Sequence, residues 1–371
     1  MLQAAAVIGK QFSLRLLQAS VEMTQDEVVH DLMTLQTAEF VYERSGFPEA
    51  EYSFKHALTH EVTYHGVPTE SRRALHARIV EALEHLYPDR LGEYIEVLAY
   101  HAVRGETWEK AVTYLHEAGV KAFMRSANVD AVAYFTRGLE VVERLPEASR
   151  DKHELNLLLA LGPAIQATKG LGALQAERVF ARARELSERR DDAAAAFQAL
   201  WGQWMVSAGL SRIEPARQIG RDLLRVAGRT NDRALELEAH HAMWATSFWL
   251  GELSAVRHHA ERGIALYDPD QHRSLAFLYG GHDPGVCCRW FTGWNSSLLG
   301  YSVQAHEACD AAIALAERVG HPPTIAIALA WVCGLHYFER NAPVTQRYAQ
   351  RLMDLSKEQN LPAWGAAGTI F

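Results

Sequence analysis

Residues 105–142 read GETWEKAVTYLHEAGVKAFMRSANVDAVAYFTRGLEVV, two apolar helical stretches around a short polar break. The second stretch places Ala131, Phe135 and Gly138 at offsets of four and three, which puts all three on one helical face. Small residues there let a neighbouring helix approach closely. The same pattern returns as Ala176/Phe180/Ala183, Ala216/Gly220/Leu223, Val256/Ala260/Gly263, Ala305/Cys309/Ala312 and Thr345/Ala349/Leu352, with first members 45, 40, 40, 49 and 40 residues apart. A breaker follows each copy: Pro146, Asp191-Asp192, Asn231-Asp232, Pro269, Gly320 and Asn360. Most copies are preceded by a more apolar stretch, such as FQALWGQWMV or IAIALAWVCGLHYF. A period near 40 built from helix pairs predicts an α-solenoid over residues 89–371.

Composition agrees with a folded, mainly α protein. Of 371 residues 49% are apolar and 22% charged, and the net charge is −8. No Lys/Arg run is longer than Arg72-Arg73, so nothing advertises a nucleic-acid partner. The start, MLQAAAVIGKQFSLRLL, lacks the order of a signal peptide, and the longest apolar run, residues 324–338, is too short for a membrane span. A cytoplasmic location is expected. Cys287, Cys288, Cys309 and Cys333 show no metal or redox spacing and are expected to be small buried residues of a reducing compartment.

Residues 1–88 differ in texture. Thr24 and Glu27 form a T-x-x-E capping box that opens a helix with Val28, Leu32 and Leu35 on one face. AEFVYERSGFPEAEYSF predicts two short strands around a turn containing Gly46, Pro48 and Glu49. A helix begins at Lys55-His56, and a later one carries Leu75, Ile79, Leu83 and Leu86 as a stripe. Helices, a β-ribbon and further helix suggest a small winged-helix domain. Many such modules read DNA, but residues 1–90 hold 8 Lys+Arg against 13 Asp+Glu, and phosphate binding would meet repulsion.

The repeats resemble tetratricopeptide repeats in a long variant. Three blocks carry a wider resemblance: AAAVIGKQFSLRLL, EYSFKHALTHEVTYHGVPTESRRALHARIVEALE, and the repeats with LGPAIQATKG, ALYDPDQHRSLAFLYGGHDPGV and LAERVGHP. Together they look like the C-terminal region of bacterial STAND-type signal-transduction ATPases, as in adenylate/guanylate cyclase-linked predicted ATPases. The resemblance implies a winged helix and a repeat array that follow an NTPase and a class III cyclase domain. A chain truncated at its C-terminus is also expected, since WGAAGTIF reads as the opening of another helix and supplies no polar cap. Gly9-Lys10 is followed by Gln11 and lacks the upstream glycine of a P-loop, and no aspartate pair with cyclase spacing occurs. No cofactor and no enzymatic activity are therefore expected of this chain; ATP or ADP would belong to the longer parent protein.

Three groups of candidate residues remain. His56 and His60 share a helical face, but no glutamate lies between them, Glu61 is off that face, and His65 sits beyond it. A metal-dependent hydrolase built on them is the weakest reading. His56 stands where a strand meets a helix N-terminus, a place that favours anions. In STAND proteins a histidine at this position contacts the β-phosphate of ADP, within a Met-His-Asp motif of which Lys55-His56-Ala57 keeps the histidine. Trp201, Trp204, Trp244, Trp249, Trp290, Trp294 and Trp331 fall in first helices of the repeats, where aromatics either pack the core or line a partner-binding groove. His282 reads as loop geometry before an N-cap at Asp283 and Pro284 in the first turn. The favoured function is a non-catalytic scaffold that binds a protein, peptide or small-molecule inducer and relays it to an N-terminal NTPase. The same parts in a LuxR-type transcriptional regulator are the alternative.

Overall fold

A computed structural model describes residues 1–44 and 50–371. The chain forms two compact units, Met1–Ala164 and Ile165–Phe371.

In the first unit, α1 (Leu2–Ile8) buries Ala4, Ala5, Ala6 and Val7. It is followed by strand β1 (Gln11–Ser13) and α2 (Leu14–Ser20), where Ser13 caps the helix through Leu16 N at 3.1 Å. The predicted capping box is present on α3 (Gln25–Thr37): Glu27 Oε2 accepts from Thr24 N at 2.8 Å while Thr24 Oγ1 accepts from Glu27 N. Both predicted strands form, as β2 (Val41–Arg44) and β3 (Glu51–Phe54); the expected turn residues Gly46, Pro48 and Glu49 lie outside the described residues. The sheet is antiparallel in the order β1-β3-β2. Phe12, Val41 and Phe54 turn to its covered side, with Val41 directly opposite Phe54. β1 has three residues and no alternation long enough to show in the sequence.

Helices α4 (Ala57–Gly66) and α5 (Thr69–Leu86) follow, the latter burying Leu75, Ile79 and Leu83 as its stripe predicts. Then come α6 (Leu91–Arg104), α7 (Trp108–Met124) and α8 (Asn128–Val142). A polar chain runs through this unit. Tyr64 of α4 lies 3.2 Å from His76 Nε2 of α5, and His76 Nδ1 lies 2.7 Å from His101 Nδ1 of α6. Burial pushes His76 down to about 4 and His101 to about 3. Both rings are therefore neutral at physiological pH, and one can donate where the other accepts. The division between units falls within α9 (Glu147–Lys169).

The second unit is an array of antiparallel pairs. In order they are α10 (Leu174–Arg189), α11 (Ala193–Gly209), α12 (Ile213–Thr230), α13 (Arg233–Trp249) and α14 (Leu253–Leu266). Two four-residue helices follow, α15 (Pro269–His272) and α16 (Leu275–Leu278). The array resumes with α17 (Pro284–Leu298), α18 (Ser302–Val319), α19 (Pro322–Phe338), α20 (Ala342–Glu358) and α21 (Pro362–Gly368). The long helices pack in succession, α14 passing over α15 and α16 to α17, and the apolar first helices also pack on one another, α11 on α13, α13 on α17 and α17 on α19. That double contact is the tetratricopeptide-like α-solenoid the period predicts.

Every member of the six recurring triads is buried, on α8, α10, α12, α14, α18 and α20. The two long steps in the period have separate causes. The 45-residue step contains α9, which is 23 residues long, and the 49-residue step contains α15 and α16. The breakers act as expected: Asp192 and Asp232 cap α11 and α13, while Asn231, Gly320 and Asn360 adopt left-handed φ of 53°, 69° and 53°. Among the described residues no helix is long and apolar enough to cross a membrane.

Candidate functional site

The seven tryptophans singled out above divide into two sets. Trp201, Trp204, Trp244 and Trp290 are buried in the core of the second unit. Trp204 is anchored there, its Nε1 donating to Thr246 Oγ1 at 2.9 Å. Each of these four indoles is at most 6% exposed. Trp294 and Trp331 are half-buried, and Trp249 is 58% exposed at the C-terminal end of α13.

These three are continuous with Phe338, 72% exposed at the end of α19. Ring centroids lie 6.0 Å apart from Trp249 to Trp331, 5.7 Å from Trp331 to Trp294 and 5.5 Å from Trp294 to Phe338. The Trp294 indole is fixed by donating to the Trp331 carbonyl oxygen at 2.9 Å. An aromatic ladder thus crosses α13, α17 and α19, held from below by buried rings such as Trp290, which stacks on Trp331 at 6.1 Å. Large rigid rings with one side packed and the other open offer apolar area at small entropic cost.

Beneath the ladder the core contains a polar cluster. Glu238 and His241 of α13 are buried; His241 Nδ1 lies 2.8 Å from Glu238 Oε2, and its Nε2 lies 3.2 Å from Cys287 Sγ of α17. His282, from the loop before α17, presents its ring to His241 edge-on at 5.1 Å. Burial drives the Glu238 carboxyl and the Cys287 thiol well up and the His241 imidazole well down. The Glu-His-Cys order resembles that of a catalytic relay, but a covered, protonated thiol is not a nucleophile. Cys287 is buried and His282 lies in the loop before α17, as expected of each; both are in addition polar neighbours of His241. The one sequence signal was Glu238 and His241 three apart on a helix, since Cys287 lies 46 residues further on.

His56 is exposed as the N-cap of α4 and makes no side-chain capping bond. His60 is not a plain surface residue. Its Nε2 lies 3.0 Å from the Ala6 carbonyl oxygen and its ring packs edge-on against Phe54 at 5.2 Å. Since a carbonyl only accepts, that nitrogen is the donor. His65 is exposed and meets Tyr64. Among the described residues, the groups spaced to hold a metal are His241/His282/Cys287 and His306/His336/Glu339. His56, His60 and His65 form no such group.

No family model matches the chain. An uncharacterised protein of Rhizobium meliloti is 25% identical over 375 residues; the match takes in all of this chain and 36% of that protein, so the chain spans about a third of its length. Among solved structures, aspartyl phosphate phosphatase F of Bacillus subtilis is similar with a TM-score of 0.56 and 12% identity, over 89% of this chain and 80% of that one. The Rap conjugation gene regulator of plasmid pLS20, in complex with the Phr* peptide, has a TM-score of 0.50 and 13% identity over 81% and 90%. A STAND protein with a tetratricopeptide repeat sensor from Pyrococcus horikoshii reaches 0.46 and 12% identity over 99% and 58%. The likeness to the first two is one of helical-repeat fold.

Proposed function

We propose that this chain is a non-catalytic interaction scaffold whose repeats bind a peptide or helix of a partner protein along the first helices. The observation that carries the reading is the ladder of Trp249, Trp331, Trp294 and Phe338 across three consecutive first helices, exposed at Trp249 and Phe338 and half-buried between them. Exposed aromatics held by a packed layer are the residues that dominate partner binding. The Phr* peptide complex formed by a regulator of similar fold supports the same reading.

In this reading residues 1–88 act as a winged-helix module, supported by the order α1-β1-α2-α3-β2-β3 and its three-stranded sheet, and residues 89–371 are the array. The parent is a STAND-type signalling ATPase linked to a class III cyclase; the curated relative, nearly three times as long as this chain, leaves room for both domains. His56, exposed at the N-terminus of α4, is the residue we assign to the β-phosphate of ADP bound by that ATPase, a helix N-terminus being a favourable place for an anion. Inducer binding to the repeats and the cytoplasmic location belong to the same proposal.

The test is peptide selection by phage display against the purified chain, followed by affinity measurement. Trp249→Ala and Phe338→Ala should each weaken the selected peptides about tenfold or more, the effect of losing an aromatic anchor. The mutation Glu214→Ala on α12 should leave affinity unchanged. Peptides that bind both aromatic variants as tightly as the parent would remove the ladder from the reading, and ATP hydrolysis by the pure chain would sink the non-catalytic scaffold.

A further inference from the structure

We propose that His241, His282 and Cys287 form a buried binding site for a thiophilic divalent ion, best matched by Zn²⁺, with Glu238 as the carboxylate that orients His241. One ligand atom from each of the three residues lies within 4.8 Å of the others. His241 Nε2 and Cys287 Sγ are already 3.2 Å apart. Tetrahedral zinc with Zn–S near 2.3 Å and Zn–N near 2.0 Å asks for N···S separations of about 3.5 Å. The donor set therefore needs small adjustments, chiefly of His282 on its loop.

The hydrogen bonds set the imidazoles for this task. His282 Nδ1 faces the Gly280 carbonyl at 2.9 Å, and since a carbonyl only accepts, Nδ1 carries the proton. Nε2 then holds a lone pair, and it is buried with no partner. His241 Nδ1 faces Glu238 Oε2, so its Nε2 is the nitrogen presented to Cys287. A carboxylate behind a ligating histidine is the usual support of a metal centre. Glu238 itself is fully buried with Oε1 unpartnered, and among the described residues no Lys or Arg pairs with it. A buried carboxyl, a buried thiol and two neutral imidazoles lack a positive charge. One divalent ion balances one thiolate and one carboxylate, with two protons released to solvent. Half-buried His282, on a loop where Gly280 and Gly281 take left-handed φ of 77° and 73°, gives the route in.

The test uses the full chain stripped with chelator and titrated with Co²⁺, then Zn²⁺. About one Co²⁺ per chain should bind and produce a thiolate-to-cobalt charge-transfer band, which Zn²⁺ then displaces. Cys287→Ser should abolish the band, and His282→Ala should weaken affinity at least tenfold. Glu238→Gln should cost about 10–100-fold. His306→Ala, in the other metal-capable group, should change nothing. Far-UV circular dichroism checks each variant. If Cys287→Ser fails to fold, His282→Ala decides, since its loop position leaves the helices intact. The absence of the band in the parent chain, its survival in Cys287→Ser, or undiminished affinity in His282→Ala would overturn the site.

Discussion

Two tryptophans of one repeat face separate packing from recognition. Trp290 is fully buried and Trp249 is mostly exposed. Trp290→Ala should cost about 3–5 kcal/mol, because it removes a large ring and leaves a cavity. Trp249→Ala should change stability by no more than about 0.5 kcal/mol, while still costing partner affinity. Chemical denaturation of both variants reads the contrast. At this scale the sequence told little: tryptophans on first helices marked the right elements, but their depth depends on which neighbour each ring meets. Glu238, His241, His282 and Cys287 were invisible as a group, since α13 and α17 with the loop leading into it, separated in the chain by α14 to α16, bring them together.

At the scale of the helix pair, the small residues of the repeat become quantitative. Gly202 of α11 sits against Phe180 of α10, so close that an added Cβ would lie 2.3 Å from the ring. Gly202→Ala would gain about 1 kcal/mol of helix propensity but must displace a buried ring, and overpacking of this kind costs about 1–3 kcal/mol. The clash wins because the ring is enclosed. A net loss of stability is expected, and Phe180→Leu in the same chain should restore part of it; equal melting temperatures for parent and Gly202→Ala would refute the account. Here the sequence was most legible. The triads repeat a steric requirement that every helix pair must meet, so their period shows in one chain. The strand β1 carried no such repetition, being three residues whose pairing with β3 is decided by tertiary contact. The irregular steps of 45 and 49 residues were visible, but their causes, a long α9 and the α15–α16 insertion, were not.

Across the whole molecule, buried imidazoles set the pH response. Burial holds His76, His240, His259 and His282 down at about 4 and His101 at about 3. These rings stay neutral in the folded chain, while the unfolded chain takes up protons below the ordinary value of 6.5. Their contribution is complete above about pH 6.5 and is lost as pH falls toward 4. Glu238 and Asp283, whose carboxyls burial raises, act in the opposite direction but are fewer. Urea midpoints should fall steadily as pH drops below 6.5, with a shallower fall in His76→Gln. A midpoint that rises on acidification would contradict the assignment. The placement of the indoles has an optical consequence. Eight of the nine tryptophans lie in residues 165–371, and Trp108 is alone in residues 1–164. Intrinsic fluorescence therefore watches one unit, whereas circular dichroism watches helices in both. Recorded side by side during denaturation, the two signals show whether the units melt together or apart, with no label attached to the protein.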